Sequence, residues 1–427
     1  MLATDANAVR WSEVHDVVIA GAGGAGLAAA VMAGGISKDV VVLEKTQDVG
    51  GNTRLADAFN AVDPAVQKPL GIEDSPELHA RQMLETGRWC ADPKLVETVA
   101  TGAPRALAWL KELGVRFEPG VYQVYGSLWP RTHSPSEPEG SGYIRPLLFK
   151  CRELGVSIRT GTKVLRVIRN GLEGPVLGVE AERMNGRRLF IRARRGVVVA
   201  TGGFGAAAVG MDFFQLLPGS AEDGRFIGAA STVERMIFVN RAGERFIAED
   251  SPSSKLSAAV LAQPGGIAFP ILDANGYSAM RTLSRAMFDR ALMRGDAFEA
   301  NSIPELASLL QIPAEALVAT VEAYNEAVET GHDPVGRRAV VLMHRIARRP
   351  FYGAKVTMCV NCTLGGIAIT PRAEVLDRHG RVIPRLYAAG EVTGGVHGAN
   401  YMGGNALSDV FTFGRIAGEN AVQEPFA

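Results

Sequence analysis

The stretch that decides the fold runs from Asp16 to Glu44 and reads DVVIAGAGGAGLAAAVMAGGISKDVVVLE. Its first five residues are a short apolar run, which is typical of a buried parallel strand. Gly21, Gly23 and Gly26 then give the spacing G-x-G-x-x-G, and a run of small apolar residues follows. In such a turn the glycines permit a tight bend, admit a pyrophosphate and bring the following helix close to the strand. Because a helix N-terminus attracts negative charge, the stretch predicts a dinucleotide site.

Glu44 closes the second apolar strand, where a carboxylate can accept hydrogen bonds from ribose hydroxyls. Two other interpretations compete with this one. The glycines can simply pack a helix against a sheet, and residues 17–36 carry no charge over a length that can span a bilayer. The clustering of the glycines in GAGGAG favours a strand, a turn and a buried helix over a membrane span.

Three more glycine turns follow along the chain: GGNT at 50–53, ATGG at 200–203 and AAGE at 388–391. Turns that converge on one cofactor suit an extended dinucleotide, and this favours FAD over NAD. Dinucleotide-type elements stand at both ends of the chain with different material between them. The sequence therefore predicts an α/β protein in which one discontinuous nucleotide-binding domain carries an inserted domain.

Further elements follow from apolar spacing and from turn residues. They are strands at 156–168, 176–191 and 195–199, a hairpin at 236–246, two helices within 303–330 and a closing helix at 408–422.

Composition excludes several classes of protein. The 427 residues are 47% hydrophobic and 21% charged, which is typical of globular proteins. Forty-five basic residues balance forty-five acidic ones, so neither a nucleic acid nor an anionic membrane is expected as a partner. Four cysteines are too few for a disulfide-built secreted fold, and the N-terminal residues lack the apolar core of a signal peptide. A soluble, cytoplasmic protein is expected.

Strings along nearly the whole chain resemble the flavoprotein subunits of fumarate reductase and succinate dehydrogenase, especially the soluble fumarate reductases. These strings are GAGGAG at 21–26, VVVLEKTQDVGGNTRLA at 40–56, ATGGFG at 200–205, NRAGERF at 240–246, TLGGI at 363–367 and LYAAGEVTGGVHGANYMGGNALSD at 386–409. The resemblance implies a Rossmann-type FAD-binding domain of residues 1–210 and 363–427, with an inserted α+β clamp domain of residues 211–362. It also implies non-covalent FAD, because GGNTRLA holds no histidine where succinate dehydrogenases attach their flavin.

The glycine turns and the resemblance together give the candidate FAD contacts. Glu391 is expected on the ribitol side, and the helix start at 405–408 at the pyrimidine end, where a helix N-terminus stabilises negative charge. The full set is Gly21, Gly23, Gly24, Gly26, Glu44, Lys45, Gly51, Asn52, Thr53, Ala200, Thr201, Gly202, Gly390, Glu391, Asn405, Ala406, Leu407 and Ser408.

The chain departs from this family where fumarate reductases hold a dicarboxylate with charged side chains. The family's arginine after GGVHGAN is Tyr401, and its histidine before T-x-GG is Cys362, next to Asn361. The arginine that donates the proton is replaced by Ser253 or Ser254, and another histidine by Leu216 or Leu217. Four neutral replacements argue against a dicarboxylate substrate.

Two further departures lie near the flavin site that the resemblance implies. The segment after Gly205 is much shorter than in the family and leads directly to Met211, and the usual A-x-GG string reads Asp57-Ala58-Phe59. Both differences affect residues that the family places around the flavin.

The predicted function is flavin-dependent oxidoreduction of a carbon–carbon bond next to a carbonyl of a small molecule, with a separate electron donor or acceptor. Tyr401, which resembles a tyrosine of the ketosteroid dehydrogenases, is the predicted catalytic residue, because a phenol can hydrogen-bond a developing enolate. The alternative is that Tyr401 only packs on the flavin. Acid/base candidates are Tyr125, Tyr143 and Tyr352.

Two alternative functions stay open. One is a fumarate reductase-like enzyme in which Arg235 or Arg54 binds a carboxylate, and the other is a flavin-binding protein without catalysis. Cys359 and Cys362 form a lone CxxC ahead of a predicted strand, with no second ligand pair, so no metal site is predicted. His133 and His397 are expected to be structural.

Overall fold

The computed structural model describes residues 9–124, 126–137, 140–171, 173–203, 214–228, 233–280, 282–339 and 342–426. The chain forms two compact units. The first holds Met1–Gln123, Leu128–Phe214 and Cys362–Ala427, and the second holds Val124–Ser127 and Gln215–Asn361. The domain boundary expected at Met211 lies outside the described residues, so the predicted division into domains stays a prediction.

The strands of the first unit form one large sheet and two small pairs. The sheet strands are β1 (Glu13–Ala20), β2 (Val40–Leu43), β5 (Ser157–Arg159), β6 (Thr162–Arg169), β7 (Val176–Arg183), β8 (Arg188–Val199), β16 (Glu374–Leu376) and β17 (Val382–Ala388). The pairs are β3 (Phe59–Asn60) with β4 (Thr132–His133), and β15 (Ile367–Ala368) with β18 (Thr393–Gly394). The helices are α1 (Gly24–Gly34), α2 (Pro64–Gln67), α3 (Pro76–Thr86), α4 (Pro93–Glu112), α5 (Ser141–Glu153) and α11 (Asn405–Gln423).

Five neighbouring strands of this sheet, in the order β17-β8-β1-β2-β5, run parallel to one another. The carboxyl ends of parallel strands share one edge, so the turns after β1, β2, β8 and β17 meet there. That edge is where nucleotide ligands bind in open α/β sheets. The α/β fold predicted from the sequence is confirmed.

Small residues let α1 and α11 pack closely on each other. A Cβ atom at Gly418 would collide with the Ala29 carbonyl, and one at Gly414 would lie 2.7 Å from the Ala25 carbonyl oxygen. The apolar core around them contains β1 and β2, whose side chains from Val17 to Ile19 and from Val40 to Leu43 are buried. The small-residue run after the glycine turn therefore serves helix packing.

The second unit is an α+β arrangement. Its main sheet is antiparallel, in the order β10 (Met236–Val239), β11 (Phe269–Asp273), β13 (Phe351–Ala354) and β12 (Ala297–Ala300). A further strand pair is β9 (Phe214–Ser220) with β14 (Val356–Thr363). The helices are α6 (Ser253–Leu261), α7 (Ala274–Ala279), α8 (Thr282–Arg294), α9 (Ile303–Leu310) and α10 (Ala314–Thr330).

Three predicted elements differ from the structure. The expected strands at 176–191 and 195–199 are the hairpin β7–β8, in which β8 runs without a break from Arg188 to Val199. The expected strand at 156–168 is divided into β5 and β6 by a turn at Gly161. The expected hairpin at 236–246 is a tight turn with one bridge, and β10 pairs along its length with β11. The β10 side chains alternate between two apolar cores, so both faces of the strand are covered.

A charged cluster lies inside the second unit and consists of Arg245, Glu249, Asp333 and Arg337. Their side chains are at most 6% exposed. Arg245 donates to both oxygens of Glu249, at 3.1 and 2.8 Å, and to both oxygens of Asp333, at 2.9 Å. Arg337 pairs with Glu249 at 2.9 Å and donates to the Tyr324 hydroxyl oxygen at 2.8 Å. Two cations and two anions thus compensate one another.

Candidate flavin site

The glycine turn after β1 leaves room for a ligand. Gly21 has a left-handed backbone with φ of +103°, and a Cβ atom at Gly26 would collide with the Gly21 carbonyl oxygen. By contrast, a Cβ atom at Gly23 would meet no described atom within 4 Å. Helix α1 begins directly behind this turn without a side-chain cap. The open space and the uncapped helix start fit the pyrophosphate of a dinucleotide.

Glu44 and Thr53 are tied to the same turn. The Glu44 carboxylate accepts the N–H of Ala22 at 2.9 Å, and it accepts both the N–H and the hydroxyl of Thr46 at 2.9 Å. The Thr53 hydroxyl oxygen accepts the N–H of Gly24 at 3.1 Å. A carboxylate has about four acceptor positions, so Glu44 keeps capacity for a ribose hydroxyl.

The turn after β8 meets the turn after β17 through Glu391. Its carboxylate accepts the Thr363 N–H at 3.2 Å and the Asn52 amide at 3.4 Å, and a Cβ atom at Gly203 would collide with it. Gly51 also lies close to the β1 turn, where its Cβ position is 3.4 Å from the Gly23 Cα. The structure therefore brings all four glycine turns together.

The remaining candidate FAD contacts in these turns differ in backbone conformation and in exposure to solvent. Gly202 and Gly390 have φ of +76° and +78°, and Ala200 is buried beside Gly21. Lys45 and Thr201 are exposed at the ends of β2 and β8. The assignment of each candidate to FAD stays a prediction.

A buried polar network surrounds the first residue of α11. We call it the α11 polar cluster, and it consists of Asn60, His79, Thr132 and Asn405. The Asn60 Nδ2 lies 2.8 Å from the Gly403 carbonyl oxygen and 2.9 Å from the Asn405 Oδ1. The Thr132 hydroxyl donates to the Asn60 Oδ1 at 2.7 Å, and the His79 Nε2 lies 3.1 Å from the same Asn405 Oδ1. Burial, with the nearby Arg131 second, lowers the pKa of His79 to about 4.

Helix α11 starts at Asn405, where the resemblance places a helix start and three residues before the helix expected from apolar spacing. Specific contacts fix its first turn. Ser408 is buried and donates to the Asn60 carbonyl oxygen at 2.6 Å. Leu407 is buried in the apolar core, and Ala406 donates its N–H to the Tyr401 hydroxyl oxygen at 2.9 Å. Asn60, His79 and Thr132 were not among the predicted site residues.

Tyr401 lies at the start of α11 with 8% of its surface exposed. Its hydroxyl oxygen accepts the Ala406 N–H, and the Gly404 N–H is a second backbone donor to it. A phenol also carries one hydrogen that it can donate. Burial, with the Cys362 thiol second, raises the pKa of this phenol well above its usual value. Its ring contacts His397 edge to face at 5.2 Å, and the His397 Nε2 lies 3.3 Å from the Asp409 carboxylate. Asp409 is a further buried neighbour that the sequence did not single out.

Tyr143 and Tyr352, the acid/base candidates that the structure describes, both contact other protein groups. Tyr143 is fully buried and donates to the Asp57 carbonyl oxygen at 2.9 Å. Tyr352 stacks on Tyr277 at 4.6 Å, and burial raises its pKa to about 12. Tyr125 and Gly205 lie outside the described residues. His133, which is buried and lies 3.3 Å from the Ala61 carbonyl oxygen, has a pKa lowered to about 4 by burial.

The cationic side chains considered as substitute carboxylate anchors have acidic neighbours. The Arg54 guanidinium lies 3.8 Å from the Asp48 carboxylate, and the Arg235 guanidinium lies 3.8 Å from the Glu234 carboxylate.

Two of the neutral replacements lie in the second unit. Leu216 packs against an apolar core of this unit, and Ser253 is buried at the start of α6.

The described residues form neither a metal site nor a membrane-spanning helix. Cys359 and Cys362 lie within β14 instead of ahead of a strand. Within the described part of the chain, no group of histidines, cysteines and carboxylates is arranged to hold a metal ion. None of the described helices is long and apolar enough to cross a membrane.

Comparison with known proteins gives the family. The model of the family described as FAD binding domain matches residues 16–211 and 205–407. The chain is 33% identical to a fumarate reductase (cytochrome) from Shewanella frigidimarina, over 96% of this chain and 77% of that protein. It is 31% identical to an NADH:acrylate oxidoreductase from Vibrio harveyi, over 97% of this chain but only 51% of that protein. The chain thus spans about half of the second relative.

A solved structure adds a third relative. The 3-ketosteroid Δ4-(5α)-dehydrogenase from Rhodococcus jostii, in complex with 4-androstene-3,17-dione, is 27% identical to this chain with a TM-score of 0.73. The match covers 99% of this chain and all of that one. The resemblance stated from the sequence strings is confirmed. The chain belongs to the FAD-binding domain family of flavoprotein oxidoreductases.

Proposed function

We propose that this protein is an FAD-dependent oxidoreductase that acts on a carbon–carbon bond next to the carbonyl of an uncharged small molecule. The names of its relatives support the reaction class, because fumarate, acrylate and a 3-ketosteroid all have a carbonyl or carboxyl group next to the reacting carbons. The preference for an uncharged substrate is supported by the residues of this chain.

The observation that carries the proposal is the environment of Tyr401. Where fumarate reductases have an arginine, this chain has a buried phenol whose oxygen accepts the Ala406 N–H. An accepted hydrogen bond polarises a hydroxyl and strengthens the one that it donates. Tyr401 is therefore suited to donate to a carbonyl oxygen that gains negative charge, and not to bind a carboxylate.

Bound FAD supplies a two-electron hydride acceptor or donor. In the dehydrogenating direction the substrate loses a hydride from its β-carbon and gives the proton of its α-carbon to a general base, and reduction is the reverse. Tyr401 holds the carbonyl and stabilises the enolate charge that develops as these bonds change. The residues that hold FAD are the glycine turns, Glu44, Glu391 and the start of α11.

FAD is held without a covalent bond in this proposal. The 3-10 helix Gly51–Leu55 offers no histidine to the flavin, and the hydroxyl of Thr53 is the one nucleophilic side chain in it besides the cationic Arg54. Thr53 is already engaged with Gly24. Acid precipitation of the yellow protein should release all of the flavin into the supernatant, whereas colour in the pellet contradicts non-covalent binding.

A carboxylate substrate is the competing proposal, favoured by the identity to a fumarate reductase. A dicarboxylate bound in a dry site without cations costs several kcal/mol. The experiment is anaerobic stopped-flow measurement of flavin absorbance. Reduced protein is mixed with cyclic enones, acrylate and fumarate, and oxidised protein with saturated ketones. Fumarate turnover as fast as that of the best enone overturns our proposal, and flavin that reacts with no compound favours a binding protein without catalysis.

Tyr401→Phe tests the assigned role, because it removes the hydroxyl and keeps the ring. We expect kcat on the best ketone or enone to fall about 100- to 1000-fold while FAD binding is retained. Tyr387→Phe is the matched control, since it also removes a buried hydroxyl, one that donates to Glu424 at 2.6 Å in the same unit. Near-normal kcat in Tyr401→Phe shows that Tyr401 only packs.

A further inference from the structure

The orientation of one buried amide at the start of α11 follows from its neighbours. The Gly403 carbonyl oxygen can only accept, so the Asn60 atom 2.8 Å away must be its NH2 group. The Thr132 hydroxyl donates to the other Asn60 atom, which agrees with an oxygen there. The Asn405 atom that faces the Asn60 NH2 group must therefore be an oxygen.

The protonation of His79 follows in turn. Its Nε2 lies 3.1 Å from the Asn405 oxygen and must carry a hydrogen to bond with it. The pKa near 4 keeps the ring neutral, so the other nitrogen, Nδ1, carries none. The Asn405 oxygen therefore accepts two hydrogen bonds, one from Asn60 and one from His79.

This arrangement leaves the Asn405 NH2 group without a partner among the described residues, although Asn405 is fully buried. An unpaired buried donor is destabilising, so proteins rarely leave one unless a ligand or water completes it. It stands on the first residue of α11, at the helix end that favours negative charge. Gly404, with φ of +86°, packs so closely on the Asn60 side chain that a Cβ atom there would collide with it.

We propose that Asn60 and His79 are positioning residues that lock the Asn405 side chain with its NH2 group turned toward an acceptor on the bound flavin. The flavin ring has such acceptors, an oxygen and a nitrogen, at its pyrimidine edge, where charge accumulates on reduction. This inference rests on the proposed placement of FAD at the start of α11. It adds that the reduction potential is set in part by residues on β3 and α3, which do not belong to the glycine turns.

Asn405→Asp is the direct test, because it keeps the oxygen that Asn60 and His79 hold and replaces the donor with an oxygen acceptor. Losing a hydrogen bond to a charged acceptor should weaken the binding of reduced flavin relative to oxidised flavin about 10- to 100-fold. For a two-electron couple this fold-change lowers the potential by about 30–60 mV. The measurement is a redox titration of the purified FAD-bound protein at pH 8, with the dissociation constant of oxidised FAD alongside. An unchanged potential in Asn405→Asp overturns the proposal.

His79→Phe tests the positioning role, and His133→Phe is its control. Both histidines are buried in the first unit with a pKa near 4, but His133 lies against the Ala61 carbonyl and not against Asn405. We expect both variants to lose stability and only His79→Phe to lower the potential, with partial recovery in His79→Gln, which restores an N–H donor. Equal shifts in the two Phe variants, or none in either, mean that His79 only packs.

These titrations need bound FAD and no substrate, so they separate this inference from the proposed reaction. A shifted potential in Asn405→Asp together with no turnover of any enone supports the amide role and contradicts the proposed reaction. Turnover of an enone together with an unchanged potential in Asn405→Asp supports the proposed reaction and contradicts the amide role.

Discussion

The α11 polar cluster and the charged cluster of the second unit are both buried, yet they are completed in different ways. In the charged cluster, two arginines and two carboxylates neutralise one another. In the α11 polar cluster the members are neutral, and the Asn405 NH2 group and the His79 Nδ1 have no described partner. A network whose charges its own residues neutralise contributes to stability, whereas a neutral one with an unpartnered donor and acceptor at a helix N-terminus is suited to a ligand.

The largest expected effect comes from breaking the charged cluster. Glu249→Gln keeps the size of the side chain but leaves two buried arginines facing one remaining carboxylate, Asp333. Removing one partner of a buried ion pair typically costs about 3–5 kcal/mol. We expect a loss of that size in the free energy of unfolding, measured by urea denaturation.

Glu329→Gln is the control for this change. Its pair with Arg345 is more than half exposed on both sides, and such pairs contribute about 0–1 kcal/mol. If Glu249→Gln costs no more than Glu329→Gln, the charged cluster does not hold the second unit together.

The glycine turns and the α11 polar cluster differ in how far the sequence predicts them. Glycine turns and short apolar runs are local signals. The positions of these turns, the parallel strands and the α/β fold are therefore predictable from residue spacing. The link between His79 and Asn405 joins residues 326 positions apart, and His79 lies in none of the strings that single out the site. No local signal reports such a contact.

The prediction for β8 differed from the structure at a charged stretch. The predicted strands ended at 191 and began again at 195, and Arg192, Arg194 and Arg195 lie in or beside that gap. In the structure Arg194 pairs with the carboxylates of Asp16 and Asp39, and Arg195 donates to the carbonyl oxygens of Val422 and Glu424 at 2.9 Å. Tertiary partners therefore let the strand continue through a charged stretch, which residue type alone does not reveal.

The two clusters should contribute to the pH dependence of the unfolding free energy over different pH ranges. The pKa of His79 is about 4 in the folded protein and near 6.5 in an unfolded chain, so only the unfolded state takes up a proton between these values. Stability is then fully present above about pH 6.5 and falls by about 3 kcal/mol for this residue as the pH drops toward 4. The charged cluster responds at lower pH: burial raises the pKa of Asp333, but the Arg245 guanidinium and the backbone N–H groups of Val335 and Arg337 outweigh it and hold that pKa below the usual 3.8.

The measurement is unfolding free energy against pH for the wild type, His79→Phe and His133→Phe. Each variant should lose its own share of the slope between pH 6.5 and 4, and the remaining decline below pH 4 should be unchanged. A His79→Phe slope equal to that of the wild type means that His79 is not held neutral in the folded protein.

The smallest effect is expected at Glu44, which belongs to neither kind of network. It is a buried carboxylate that accepts hydrogen bonds from neutral donors, with no ion pair among the described residues. Glu44→Gln keeps its shape, but one of the two oxygens that now accept backbone N–H groups becomes an NH2 group. A ribose hydroxyl also bonds less strongly to a neutral amide than to a carboxylate, by about 1 kcal/mol.

We expect the FAD affinity of Glu44→Gln to fall about fivefold to tenfold, measured by fluorescence titration of the apoprotein, and Glu44→Arg to weaken it further. Glu153→Gln, at an exposed pair with Lys150 on α5, should bind FAD like the wild type. Unchanged affinity in Glu44→Arg would mean that the ribose lies elsewhere. The hydrogen bonds of Glu44 would then serve only to hold the glycine turn after β1, as the ion pairs of the charged cluster serve only the second unit.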